Sequence, residues 1–185
     1  LVFASGFLNP AENNDGPAFG LFAALPNGDV IELPVATMED PMARLQVIHN
    51  AADPAAEVVD IYVNGEKFLE DFAFRAATPF VDVPAEVELT IGVAPGDSDD
   101  AADIIAEFPV TLENGGSYIV VANGVLGDGF APNPDGKDIA FTLFTADDAQ
   151  EKAMNEEEVE LNVFHGSTDA PTVDVIARDV GTLVD

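Results

Sequence analysis

Cysteine and tryptophan are both missing from this 185-residue chain, and basic residues are nearly so, with six Lys and Arg in all. Without cysteine there is neither a disulfide framework nor thiolate chemistry. Export stays open, because a domain of about 100 residues can be stabilised by its own core. Without tryptophan the pin that fills the core of antibody domains is unavailable. No apolar run approaches the roughly 18 residues that a membrane helix needs, so no membrane insertion is expected. The three lysines, Lys67, Lys137 and Lys152, face 35 acidic residues, and the formal charge is −29. A charge of that sign opposes binding to nucleic-acid phosphates and to anionic membranes. It suits high ionic strength, where a Debye length of ~3 Å at about 1 M salt screens self-repulsion. A halophilic source is therefore the preferred reading, beside an ordinary acidic extracellular protein and a calcium-loaded adhesin. Disorder does not account for the composition, because 48% of the residues are hydrophobic and recur in alternating stretches.

What is present is a repeat, out of phase with the chain. Residues 45–62, LQVIHNAADPAAEVVDIY, return as residues 161–176, LNVFHGSTDAPTVDVI, and the opening LVFASGFLNP returns as IVVANGVLGD at 119–128. LFAAL at 21–25 likewise matches LFTAD at 143–147. A period of about 118 residues is domain-sized, which implies tandem domains and not a solenoid. The expected organisation is the tail of one repeat at 1–42, a complete repeat at 43–147, a linker at 148–159 and the head of a further repeat at 160–185. The chain opens at Leu1 inside a strand-like segment with neither Met nor signal peptide, so it is expected to be a piece of something longer.

Short apolar runs bounded by Gly, Pro, Asn and Asp dominate the complete repeat. They predict eight strands, at 44–49, 58–63, 67–74, 78–83, 86–94, 104–112, 117–125 and 139–145. Asn64-Gly65 after VDIYV signals a type I′ hairpin, and Asn114-Gly115-Gly116 marks a similar turn. The fold class expected is all-β, an antiparallel immunoglobulin-like β-sandwich. In 86–93 the alternation places Val87, Leu89, Ile91 and Val93 inward. Phe72, Phe74, Phe80, Phe108, Phe141 and Phe144 are expected to supply large buried area. The prolines Pro54, Pro79, Pro84, Pro95 and Pro109 belong at strand ends or edges. Residues 146–158, rich in Ala, Glu and Gln, read as a short helical linker, and 33–42 reads as the other boundary.

The phrase VIHNAADPAAEVVDIYVNGEKFLEDFAF, followed by TPFVDVPAEVELTIGVAPG and SYIVVANG, resembles the bacterial and archaeal family known as domain of unknown function 4397. VFHGSTDAPTVDVIARD resembles its opening, with Asp169-Ala170-Pro171 where the loop is expected, although Arg178-Asp179 replaces the Asn-Gly turn. The resemblance implies an extracytoplasmic, often tandem, β-sandwich module of exported and cell-surface proteins, with no activity attached. The head and tail lack the middle strands, and half-sandwiches expose apolar faces and edges. Residues 1–42 and 160–185 are therefore expected to pair, with each other or with a neighbouring chain, in a strand-exchanged assembly.

Reactive constellations are few. His49 and His165, the two histidines, each stand four residues before an aspartate, Asp53 and Asp169. A metal site or acid–base pair would use such residues, but zinc wants three or four protein ligands and neither repeat has a second histidine. The preferred reading makes each imidazole a strand-end residue that fixes its loop, with the aspartate forming an Asx-type turn. Ser167, between His165 and Asp169, belongs to the same turn chemistry, and no G-x-S-x-G surrounds any serine. Three acidic loops, at 11–16, 96–103 and 133–138, offer oxygen ligands without the EF-hand register. If one binds calcium, Asp97, Asp99, Asp100 and Asp103 are the ligands; solvated turns are the preferred reading. Tyr62 and Tyr118 are the only tyrosines and both lie in expected strands, which leaves few sugar-stacking candidates.

The expectation is thus a non-catalytic extracellular or cell-surface structural or adhesive module. Its partners would be neighbouring repeats or copies of the same chain, or a surface polymer or carbohydrate, and it would need no cofactor. A calcium- or carbohydrate-dependent binding domain is the alternative.

Overall fold

The computed structural model describes residues 1–34, 39–177 and 181–184. The chain divides into two compact units, Leu1–Asp40 and Pro41–Asp185. The expected boundary at 33–42 includes residues 35–38, which lie outside the described residues. No helix among the described residues is long and apolar enough to cross a membrane.

The first unit is a three-stranded antiparallel sheet of β1 (Val2–Ser5), β2 (Gly20–Ala24) and β3 (Val30–Glu32), in that order. Its loop at 6–19 is held by Phe7 N–H on Pro17 O and Phe19 N–H on Phe7 O.

The second unit is an all-β sandwich. Its strands are β4 (Met42–His49), β5 (Val58–Val63), β6 (Glu66–Ala73), β7 (Val81–Pro84), β8 (Glu88–Pro95), β9 (Ala106–Thr111), β10 (Ser117–Asn123) and β11 (Thr142–Ala146). One sheet runs β11-β10-β4-β7 and the other β6-β5-β8-β9. All neighbours are antiparallel except β4 and β10, which pair in parallel from Ser117↔Arg44 to Ala122↔His49. Two further strands, β12 (Val175–Ala177) and β13 (Gly181–Val184), pair antiparallel by themselves.

Alternation explains the layers. In β4 the residues Ala43, Leu45, Val47 and His49 are buried while those between are partly covered, the period-two pattern of a strand with one face in the core. Val59 and Ile61 from β5 and Ile91 and Val93 from β8 meet them from the facing sheet, and Val120 lies beside them on the neighbouring strand β10. Each fully buried side chain of this size contributes about 1.5–3 kcal/mol. Asn64 and Gly65 both have positive φ, 52° and 82°, the conformation of the two-residue hairpin expected between β5 and β6. Pro109 lies in the edge strand β9, where a missing N–H removes no ladder bond.

Four local expectations are corrected. Residues 146–158 form no helix: Ala146 closes β11 and the remainder is turns. Asn155 interrupts the segment by accepting from Glu157 N–H on its side chain and from Glu158 N–H on its carbonyl, and so short a run has little intrinsic helicity to oppose this. The strand foreseen at 78–83 begins only at Val81, because Pro79 cannot donate to the ladder; Thr78 Oγ1 instead accepts from Val47 N–H. Val87 is half exposed, since Glu86 takes a φ of 59° and the inward alternation starts at Leu89. Of the six phenylalanines only Phe72 is buried, and Phe144 is 45% exposed, its ring tilted against that of Phe164 on the outer face of its sheet.

The two units share a local pattern of strand pairing. In the first unit Val2↔Ala23, Phe3↔Phe22, Ala4↔Leu21 and Ser5↔Gly20 are paired. The corresponding residues of the sandwich are paired in the same order, Val120↔Thr145, Val121↔Phe144, Ala122↔Leu143 and Asn123↔Thr142. Beyond these strands Gly6 (φ 92°) and Gly124 (φ 102°) make the same turn, followed by the parallel bridges Phe7↔Ala18 and Val125↔Ala140. At the other end Ile176↔Thr182 and Ala177↔Gly181 form a hairpin, as Tyr62↔Lys67 and Val63↔Glu66 do, but its register is offset by one residue, with three residues between the inner pair where β5 and β6 have two. The turn residues Arg178 and Asp179 lie outside the described residues.

Candidate functional site

His49 ends β4 at the mouth of the loop that leads to β5. It is 1% exposed and stands between the rings of Phe72 and Phe74. Its Nε2–H donates to Ala56 O at 2.7 Å and its Nδ1 accepts from Ala51 N–H at 3.4 Å. Both ring nitrogens are thereby occupied and the neutral tautomer is selected. Burial pushes the imidazole below its ordinary pKa, partly opposed by the Ala56 carbonyl. Asp53 caps the turn Pro54–Ala56 by accepting from Ala55 N–H at 2.8 Å, and its second oxygen accepts from Leu126 N–H at 2.8 Å. The pair thus ties the first loop to the strand end at β10.

His165 and Asp169 build a looser copy on the surface. His165 Nε2 donates to Pro171 O at 3.1 Å, and Asp169 accepts from Ser167 Oγ at 3.3 Å. Around them, residues 162–172 lie along the sandwich. Val163 and Phe164 line a recess of the outer sheet face with Ile48, Val121 and Phe144. Gly166 sits against the Asn50–Asn123 amide pair, where a Cβ would collide with Asn50 Nδ2, which explains why Asn follows the first histidine and Gly the second. The acidic loop at 133–138 grips the same segment. Asn133 Nδ2 donates to Thr168 O and Ala170 O, and Asp135 accepts from Thr172 N–H at 2.6 Å and from its hydroxyl at 2.8 Å. These bonds from Thr172 hold the Asp135 carboxyl below its ordinary value.

The loop at 96–103 folds over the outer face of the other sheet. Asp103 accepts from Asp99 N–H and Asp100 N–H while Asp100 accepts from Ala102 N–H, so the two close a capping box. Asp97 and Asp99 are exposed. Among the described residues no three His, Asp or Glu side chains converge as ligands of one ion.

The residue that sequence reasoning missed lies beneath this loop. Asp60 is 0% exposed, although it points away from the core on β5. Its Oδ2 accepts from Lys67 Nζ at 2.7 Å and Ser98 Oγ at 2.6 Å, and its Oδ1 from Asp71 N–H at 2.9 Å. Tyr62 OH, with Ser98 Oγ already donating to Asp60, donates to that hydroxyl at 2.9 Å. Lys67 adds a bond to Ser98 O at 2.7 Å and lies 5.6 Å from the Tyr62 ring centroid. Burial pushes the Asp60 carboxyl up, but Lys67, Ser98 and the Asp71 amide together outweigh it and hold it below its ordinary value. Asp60 raises Lys67 in turn. The signal available in the sequence was the polar step in VVDIY: Asp60 and Tyr62 share the face opposite Val59 and Ile61. What arrived there from a distance was Ser98.

The model of a family described as Domain of unknown function (DUF4397) matches residues 43–176. None of the curated proteins matches the chain.

Proposed function

From the premise that the chain belongs to the DUF4397 family, we propose that it is a non-catalytic structural or adhesive module of a tandem-repeat protein, working outside the cell or at its surface. The observation that carries this reading is the pair-by-pair return of the closing strands, glycine turn and bridge of the sandwich in the first unit. Domain-sized repeats of that kind set several compact modules along one chain. The polar groups also serve the fold: both nitrogens of His49 are occupied within its loop, and Asp60 receives three donors. A net charge of −29 keeps such a surface soluble in concentrated salt.

Assembly is part of the proposal, by exchange of strands between incomplete repeats. Light scattering after size exclusion tests it at low and at multimolar salt. Dimers or longer oligomers that persist in multimolar salt and do not depend on calcium are expected. A monomer at every salt concentration, or association driven by calcium alone, overturns it.

A further inference from the structure

We propose that the interior of the sandwich binds a free, uncharged hydrocarbon about the size of one aromatic ring, in an apolar cavity of about 160 Å³ between its two sheets. The inference is independent of how repeats assemble, because the cavity is lined by residues from Leu45 to Leu143 of the sandwich itself.

The cavity follows from the side chains that the facing strands carry. Val47 on β4, Val59 on β5, Val93 on β8, and Val120 and Ala122 on β10 all line it, and all are buried. Packed sheets stand about 10 Å apart, a distance that short side chains from both sides do not close, and the chain has no Trp to bridge it. Close-packed interiors leave few voids larger than a water molecule. A space of this volume deprives its lining of dispersion contacts, and an occupant of matching shape restores them.

The lining selects an occupant without polar groups. Its polar side chains are His49 and Asp82, and both are committed elsewhere. The two His49 ring nitrogens are engaged by Ala56 O and Ala51 N–H, while the Asp82 carboxylate turns outward to accept from Arg44 at 3.2 Å. A buried water needs about two to four polar partners, and an apolar cavity of about 150 Å³ lined by Leu, Ile and Phe stays dry and takes up benzene. A single ring therefore matches this cavity in both volume and chemistry.

The way in lies between the edge strands β6 and β7, where Phe68, Asp82 and Pro84 line the cavity and are also exposed. Phe68 owes its position to a bulge. Ile61↔Leu69 and Tyr62↔Lys67 are paired, which leaves Phe68 without a partner opposite, and a bulge at a sheet edge re-aims a side chain. With 40% of its surface exposed, its ring stands at the entrance. The strands β6 and β7 belong to different sheets and share no ladder, so rotation of a side chain opens the path without breaking strand pairing. Asp82 at the same rim, in a chain of net charge −29, opposes an incoming carboxylate. The rim thus disfavours fatty acids and leaves the uncharged hydrocarbon as the occupant.

Benzene is the probe. Titration calorimetry on the full chain, at the lowest salt concentration that keeps it folded, is expected to show one saturable site with a negative heat-capacity change. Saturating benzene is expected to raise the unfolding midpoint by a few degrees. Benzoate is expected to bind at least about tenfold more weakly, since its carboxylate finds no partner inside and Asp82 at the rim. Ala122→Leu places an isopropyl group in the cavity and is expected to weaken benzene binding at least about tenfold. Val47→Ile, a smaller filling for use if Ala122→Leu does not fold, is expected to weaken it at least about threefold. No saturable site, equal affinity for benzoate, or undiminished benzene binding in a folded filled variant overturns the proposal. None of these outcomes touches the structural-module reading, which is tested by oligomeric state.

Discussion

At the scale of single residues, two buried titratable groups make the fold sensitive to acid, the one from pH 6.5 downward and the other from pH 3.8 downward. His49 has a lowered pKa, so its contribution to stability is complete above its ordinary value of 6.5 and is lost as pH falls through the lower folded value. His49→Gln is expected to be less stable than the wild type near pH 7 and to lose that difference progressively on acidification. Urea midpoints across the range read this, and a constant difference sinks the argument. Asp60 also has a lowered pKa. Its contribution is present above the ordinary carboxylate value of 3.8 and disappears as pH falls through the lower folded value. Lys67→Met leaves the Asp60 carboxylate buried without its cation, a change expected to lower stability clearly near neutral pH. If equilibrium denaturation shows Lys67→Met within about 0.5 kcal/mol of the wild type, the network does not hold the loop. Asp60 was legible as a polar residue in a strand, and its burial was not, because the cover comes from Ser98 on a remote loop.

At the scale of elements, glycine turns and acidic loops decide how strands are joined and what they hold. Gly124 stands at a φ of 102°, and a Cβ there would run into the Ala140 carbonyl. Gly124→Ala therefore meets both a backbone conformation that L-residues avoid and a steric clash, and a loss of at least about 2 kcal/mol is expected. Thermal unfolding measures it, and an unchanged midpoint would show that the turn relaxes freely. The loop at 133–138, read from its composition as a solvated turn or ion site, holds a neighbouring segment through Asn133 and Asp135. Asp135→Ala is expected to speed amide exchange at Thr172 by about tenfold or more, with exchange in β4 and β5 unchanged. Equal protection of Thr172 in both proteins would show that Asp135 has no part in holding it. Strand positions were largely legible because apolar alternation and Asn-Gly punctuation act locally. The helix expected at 146–158 failed because local propensity was weighed without Asn155. The Arg44 guanidinium also claims this segment, bonding Glu151 at 2.7 and 2.8 Å.

At the scale of the whole molecule, charge governs behaviour. A net charge of −29 with six basic residues means that self-repulsion opposes the compact state at low ionic strength. Stability is expected to rise steadily from low to multimolar potassium chloride, by several degrees in the unfolding midpoint. A midpoint independent of salt would remove the reason for reading the acidity as an adaptation.

The amino-acid sequence by itself determined the β class, the hairpin at Asn64-Gly65 and the family resemblance, because each is written in periodicity or in residues adjacent in the chain. Tertiary structure alone decided which strands became neighbours. The parallel union of β4 with β10 joins segments distant in sequence, and no local pattern specifies a partner. It also decided that Asp60 would be buried under Ser98. Burial and edge exposure are properties of what packs against a strand, and a strand's own residues do not contain them.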